Sequence, residues 1–132
     1  MPNIAGAHHV GFTVTDADRS AAWYQDLFEM QLLFSVDEDD VKLRVLAHPA
    51  SEWILGVREY PQRPDGPFDE QRTGLDHLAF TVTSRGELEA WESELERRGI
   101  PCSPIKETHI GTLITLRDPD NIQLELWVPL GS

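Results

Sequence analysis

The sequence predicts an α+β fold: two tandem βαβββ modules forming a cupped, mostly antiparallel sheet with the helices outside. Three observations predict it. The chain repeats itself, each repeat opens with a segment alternating apolar and polar residues, and a helix-period apolar stripe follows each opening.

The repeat is ungapped. A shift of 68 positions lays His9 on His77, Phe12 on Phe80, Thr13 on Thr81, Val14 on Val82 and Thr15 on Thr83. At the same shift Ala22 falls on Ala90, Trp23 on Trp91 and Leu27 on Leu95. A strand motif and a helix motif matching at one offset is the mark of a duplicated unit. The 132 residues therefore read as one domain of two modules, 1–59 and 74–132. The Pro- and Gly-containing segment 60–73 is the linker.

Each element follows from local chemistry. In the first strand Val10, Phe12 and Val14 share one face, and His9, Gly11 and Thr13 the other. Leu78, Phe80 and Val82 oppose His77, Ala79 and Thr81 in the second copy. Neighbouring residues face opposite sides of a strand, so His8 is expected to point away from His9. Asp16 or Asp18 can cap the first helix, whose stripe is Ala22, Trp23, Leu27 and Met30. Ser84 with Glu87 forms a capping-box pattern for the second helix, Leu88, Trp91 and Leu95 form its stripe, and Gly99 with Pro101 end it. Three strands follow in each half, at 31–37, 40–48 and 52–59, then at 102–107, 110–117 and 121–128. Asp37-Glu38-Asp39-Asp40 reads as a solvated turn, and Asp118-Pro119-Asp120-Asn121 as the last turn.

Composition excludes several function classes. With 11 Lys and Arg against 23 Asp and Glu, the formal charge is −12. Nucleic acids and anionic membrane surfaces both require clustered basic residues, so neither is an expected partner. The same acidity can steer a cationic small molecule. The single cysteine, Cys102, rules out an intrachain disulfide and reads as a buried or incidental thiol. No apolar run is long enough to span a bilayer, and the start, Met1-Pro2-Asn3-Ile4, has no signal-peptide pattern. A cytoplasmic protein is expected.

The duplicated histidines carry the chemistry. His9 and His77 hold equivalent positions on the face opposite the helix, and imidazole is a common metal ligand. In the last strand Ile122, Leu124 and Leu126 form an apolar face, while Gln123, Glu125 and Trp127 share the other. Facing the histidines, Glu125 completes a two-histidine, one-carboxylate set with positions left open for substrate.

The segments His9 to Asp16, Arg19-Ser20, Trp23-Tyr24 and Asp76 to Phe80 resemble the module openings of the vicinal oxygen chelate superfamily. That superfamily includes glyoxalases, bleomycin-resistance proteins and ring-cleaving dioxygenases. Asp118-Pro119-Asp120-Asn121-Ile122-Gln123-Leu124-Glu125 resembles its Asp-Pro-Asp-Gly-Asn-x-x-Glu ending. The resemblance implies a divalent ion (Fe, Mn, Zn or Ni) on His9, His77 and Glu125, and a homodimer acting on a small molecule. The modules pair within one chain or across two. The family's fourth ligand position falls near Gly56, where no carboxylate stands; Glu59 reaches it only by a register slip, and Glu52 is at the wrong end of its strand. Three ligands look closer to the dioxygenases, lyases and epimerases of the group than to glyoxalase I. A bound ion would act as a Lewis acid on two neighbouring substrate oxygens, Glu125 would help hold it, and His48 and His109 are candidate bases. The alternative is a bleomycin-resistance-like binding protein without catalysis, to which the acidity and Trp53, Tyr60, Phe68 and Trp127 are suited.

Overall fold

A computed structural model of the chain describes residues 1–64 and 66–131. Asp65, within the expected linker, and Ser132, at the end of the expected second module, lie outside the described residues. The chain forms two compact units, Met1–Asp65 and Gly66–Ser132. Each holds one helix and one open, mixed four-stranded sheet.

In the first unit the order is β1 (Val10–Thr13), α1 (Ala17–Phe28), β2 (Gln31–Asp37), β3 (Lys42–Ala47) and β4 (Ile54–Glu59). Short turns make β2, β3 and β4 an antiparallel meander. β1 adds parallel to β4, which requires the long connection that α1, β2 and β3 together supply. The sheet order is therefore β1-β4-β3-β2. Phe12 and Val14 are buried while Gly11 and Thr13 are exposed, as alternation requires.

Asp16 caps α1 by accepting from Arg19 N at 2.9 Å, and Glu59 Oε1 accepts from Ala17 N at 2.8 Å. Two of the helix's four unpaired N–H groups are thereby satisfied. The expected stripe holds at Leu27 and Met30, both buried, and is corrected at its start. Ala22 is exposed and Trp23 half-buried, while Ser20, Ala21, Tyr24, Leu27 and Phe28 are buried. Anchoring by Asp16 and Glu59 puts Ala17 fully inside, and 3.6-residue spacing from Ala17 selects Ala21, Tyr24 and Phe28. Tyr24 packs against Phe12, Trp23 and Phe28.

Asp18 serves a different partner. Arg44 is buried, and its Nε donates to Asp18 Oδ1 at 2.8 Å, its Nη2 to Asp37 Oδ1 at 2.9 Å and its Nη1 to Leu43 O at 2.9 Å. A buried guanidinium needs such pairing to offset lost hydration. Hydrogen bonds from Arg44 and Lys42 hold the Asp18 carboxyl below its ordinary range. Asp37 thus ends β2, as the expected strand 31–37 has it, and joins this network while its side chain stays exposed.

The second unit repeats the plan: β5 (Leu78–Thr81), α2 (Arg85–Arg97), β6 (Lys106–Thr108), β7 (Gly111–Arg117) and β8 (Gln123–Pro129), ordered β5-β8-β7-β6. Ser84 Oγ accepts from Glu87 N at 3.1 Å. Gly99, at φ 69°, closes α2 in a Schellman motif: Gly99 N donates to Glu96 O and Ile100 N to Leu95 O. Leu88 and Leu95 are fully buried, and Trp91 half-buried.

The expected strand at 102–107 is shorter. Cys102 makes one bridge to Leu116, and regular pairing resumes only at Lys106. Pro101 and Pro104 lack the N–H groups a ladder requires. Partial burial pushes the Cys102 thiol above its ordinary range, which fits an unreactive cysteine. No described helix is long and apolar enough to cross a membrane.

Candidate functional site

The last turn aims the site. Asp118 is buried, and its Oδ1 accepts from Asp120 N at 2.8 Å and Ile122 N at 2.9 Å. Asn121, at φ 67°, completes the reversal. This turn fixes the phase of β8. Ile122, Leu124 and Leu126 are buried, and Gln123, Glu125 and Trp127 lie along the opposite face.

Glu125 is only 7% exposed, and both its oxygens are held from along its own strand. Trp127 Nε1 donates to Oε1 at 2.7 Å, and Gln123 Nε2 donates to Oε2 at 2.8 Å. Gln123 is oriented in turn: Arg117, its cross-strand partner, donates from Nη2 to the amide oxygen at 2.9 Å. An arginine is donor-only, so the amide NH₂ is left for Glu125. Arg117 also grips Glu70 with two bonds, at 3.1 and 2.9 Å. That contact draws the Glu70 carboxyl down to about 2.

His77 stands at the mouth of this arrangement. Its Nε2 lies 3.3 Å from Glu125 Oε1, and its Nδ1 lies 2.7 Å from Asp76 Oδ1. A carboxylate accepts only, so Nδ1 carries a proton. In neutral His77 the Nε2 lone pair then faces a carboxylate oxygen. A metal ion held between those two atoms would be attracted by both.

The spacing fits a metal. Two donors each ~2.1 Å from one ion stand ~3.0 Å apart at a right angle and ~3.4 Å apart at a tetrahedral one. The 3.3 Å between His77 Nε2 and Glu125 Oε1 falls in that range. Among the described residues no group of three or more His, Cys, Asp or Glu side chains could hold an ion. Of the three expected donors, His77 and Glu125 meet within the second unit, and His9 belongs to the first.

His9 is exposed just before β1. The expectation that His8 points away from it is corrected: the two Nδ1 atoms are 2.8 Å apart. Strand alternation begins only at Val10, so it does not govern this pair. Gly56 pairs with Gly11 across β1 and β4 as Glu125 pairs with Ala79 across β5 and β8. Gly56 therefore occupies the place of Glu125 in the first unit. Glu59 is engaged at the N-terminus of α1.

The candidate bases lie outside the strands. His48 is in the turn after β3, and its Nδ1 accepts from Ser51 N at 3.1 Å. His109 is exposed in the β6–β7 turn. The sequence reading gave no role to Arg117 and Glu70. Cross-strand pairing of Arg117 with Gln123 is the signal that points to Arg117, and it needs the register of the hairpin. Glu70 reaches Arg117 from a loop, which no periodicity marks. The first unit also holds a groove of about 610 Å³ lined by Thr13, Asp39, Asp40, Tyr60 and the segment 61–64.

Comparisons with known proteins converge on one family. Residues 6–126 match the model of the Glyoxalase/Bleomycin resistance protein/Dioxygenase superfamily. The uncharacterized protein YwkD of Bacillus subtilis (strain 168) is 28% identical over 129 residues, 94% of this chain and 97% of that protein. A glyoxylase/bleomycin resistance protein/dioxygenase domain from Frankia sp. EAN1pec superposes with a TM-score of 0.88 at 32% identity, covering 96% of this chain and 99% of that one. A mutant of the fosfomycin resistance protein FosX from Listeria monocytogenes, complexed with Mn(II) and 1S,2S-dihydroxypropylphosphonic acid, shares the fold. Its TM-score is 0.73 at 20% identity, covering 98% of this chain and 94% of that one.

Proposed function

The chain belongs to the Glyoxalase/Bleomycin resistance protein/Dioxygenase superfamily, and from that premise we propose that it is a divalent-metal-dependent enzyme acting on a small oxygenated molecule. The observation that carries the reading is the convergence of His77 Nε2 and Glu125 Oε1 at 3.3 Å. We take His9, in the first unit, as the third donor of the set. A metal-bound FosX among the structural neighbours supports the same chemistry.

A bound ion would supply Lewis acidity toward two neighbouring substrate oxygens, as an isomerase, lyase or ring-cleaving oxygenase requires. The chain's own residues prepare for that. Trp127 and Gln123 hold the Glu125 carboxylate in one orientation, and Asp76 keeps the proton of His77 on Nδ1. His, His and Glu suit Fe, Mn, Zn or Ni. With a charge of −12, a small-molecule partner in the cytoplasm fits better than a nucleic acid or a membrane.

Metal analysis of protein purified without a histidine tag tests the reading. Stoichiometric metal is expected in the wild type, lost in His9→Ala, His77→Ala and Glu125→Ala. Full metal content in Glu125→Ala would refute the ligand set. One observation favours a second reading, a binding protein without catalysis: the groove where Asp39, Asp40 and Tyr60 could receive a cationic ligand. A metal-free wild type that binds an aromatic cation tightly would establish it instead.

A further inference from the structure

We propose that Asp76 is a positioning residue that selects Nε2 of His77 as the ligating nitrogen, and that His8 does the same for His9. The inference rests on the metal reading above. An imidazole offers two nitrogens, and whichever carries the proton cannot bind a metal. Asp76 Oδ1 lies 2.7 Å from His77 Nδ1 and accepts its proton-bearing side. That leaves the Nε2 lone pair free, 3.3 Å from Glu125 Oε1.

The first unit repeats the device with different chemistry. His8 precedes His9 as Asp76 precedes His77, and the two Nδ1 atoms of His8 and His9 are 2.8 Å apart. One of those nitrogens donates and the other accepts. The parallel with Asp76 assigns the proton to His9 and the accepting lone pair to His8. Nε2 of His9 is then the free nitrogen. Its orientation is shared with His8 through an edge-on ring contact, with centroids 5.0 Å apart. Partners of this kind raise the basicity of a ligating histidine and fix its ring.

The test reads tautomers directly in metal-free, full-length protein at about pH 8, where ordinary imidazoles are neutral. Two-bond proton–nitrogen spectra distinguish Nδ1–H from Nε2–H. His77 is expected as the Nδ1–H form in the wild type and in Asp76→Asn, whose carbonyl still accepts. Asp76→Ala is expected to move it toward Nε2–H and to weaken zinc(II) binding about 10–100-fold by calorimetry. Asp76→Asn should recover most of that affinity. His8→Ala should move the His9 tautomer in the same direction. Asp76 is exposed, so these variants leave the core intact. An unchanged His77 tautomer with unchanged zinc affinity in Asp76→Ala overturns the proposal while leaving the metal reading standing. A tautomer that follows Asp76 in a wild type that binds no zinc upholds the positioning role and overturns the metal reading.

Discussion

Replacing Gln123 by leucine probes the support of Glu125. The substitution deletes the 2.8 Å bond to Oε2 of a carboxylate that is 7% exposed. A hydrogen bond to a charged group contributes about 1.5–3 kcal/mol, and a buried acceptor left without its donor costs a similar amount. Gln123→Leu should therefore lose about 1.5–3 kcal/mol, or about 5–15 °C in Tm for a chain of this size. The Arg117 bond to Gln123 disappears too, so the single variant does not apportion the loss. A double-mutant cycle with Glu125→Ala does, because the Arg117 contribution cancels between backgrounds. Urea unfolding of metal-free protein, followed by tryptophan fluorescence and circular dichroism with coincident transitions, supplies the four free energies. A coupling above about 1 kcal/mol is expected. If Gln123→Leu costs the same with and without Glu125, with coupling below about 0.5 kcal/mol, Gln123 does not hold that carboxylate and the reasoning fails.

Two further outcomes follow from the same unit. Glu70, gripped by Arg117, titrates at about 2 in place of its ordinary 4.5, so its contribution is fully present above the ordinary value and is lost as pH falls toward 2. The stability difference between wild type and Glu70→Gln should be constant above about pH 5 and shrink steadily below it; a difference independent of pH over that window would refute the pair. Gly111 begins β7 at φ 150°, and a Cβ there would collide with the Val128 carbonyl oxygen on the neighbouring strand. Gly111→Ala should cost at least about 2 kcal/mol in urea unfolding, and a variant as stable as wild type would show that the β7–β8 approach is wrong.

Much of this was legible in the sequence because it is periodic. The 68-residue repeat, the alternation of Val10, Phe12 and Val14, and the pattern Ser84 to Gly99 are local signals, and all three became the elements they indicated. The face shared by Gln123, Glu125 and Trp127 was equally legible, since alternation alone sets it. The α1 stripe departs from its sequence pattern at Ala22 and Trp23 because the helix is anchored by Asp16 and by Glu59, a residue 42 positions beyond the first helical N–H. His8 departs from its expected side because it lies before β1, where alternation does not fix the face.

Local pattern determined which residue types stand on which face: two equivalent imidazoles, one strand carboxylate, and no acid at Gly56. Only tertiary structure decided which of those groups meet and what holds them. His77 reaches Glu125 because β5 lies parallel to β8, a pairing that sequence periodicity does not encode. Arg117 reaches both Gln123 and Glu70 because a hairpin register and a returning loop bring them together. A side chain's face depends on its own few neighbours, whereas a hydrogen-bond partner is fixed by how distant segments pack, and that is settled only when the chain folds.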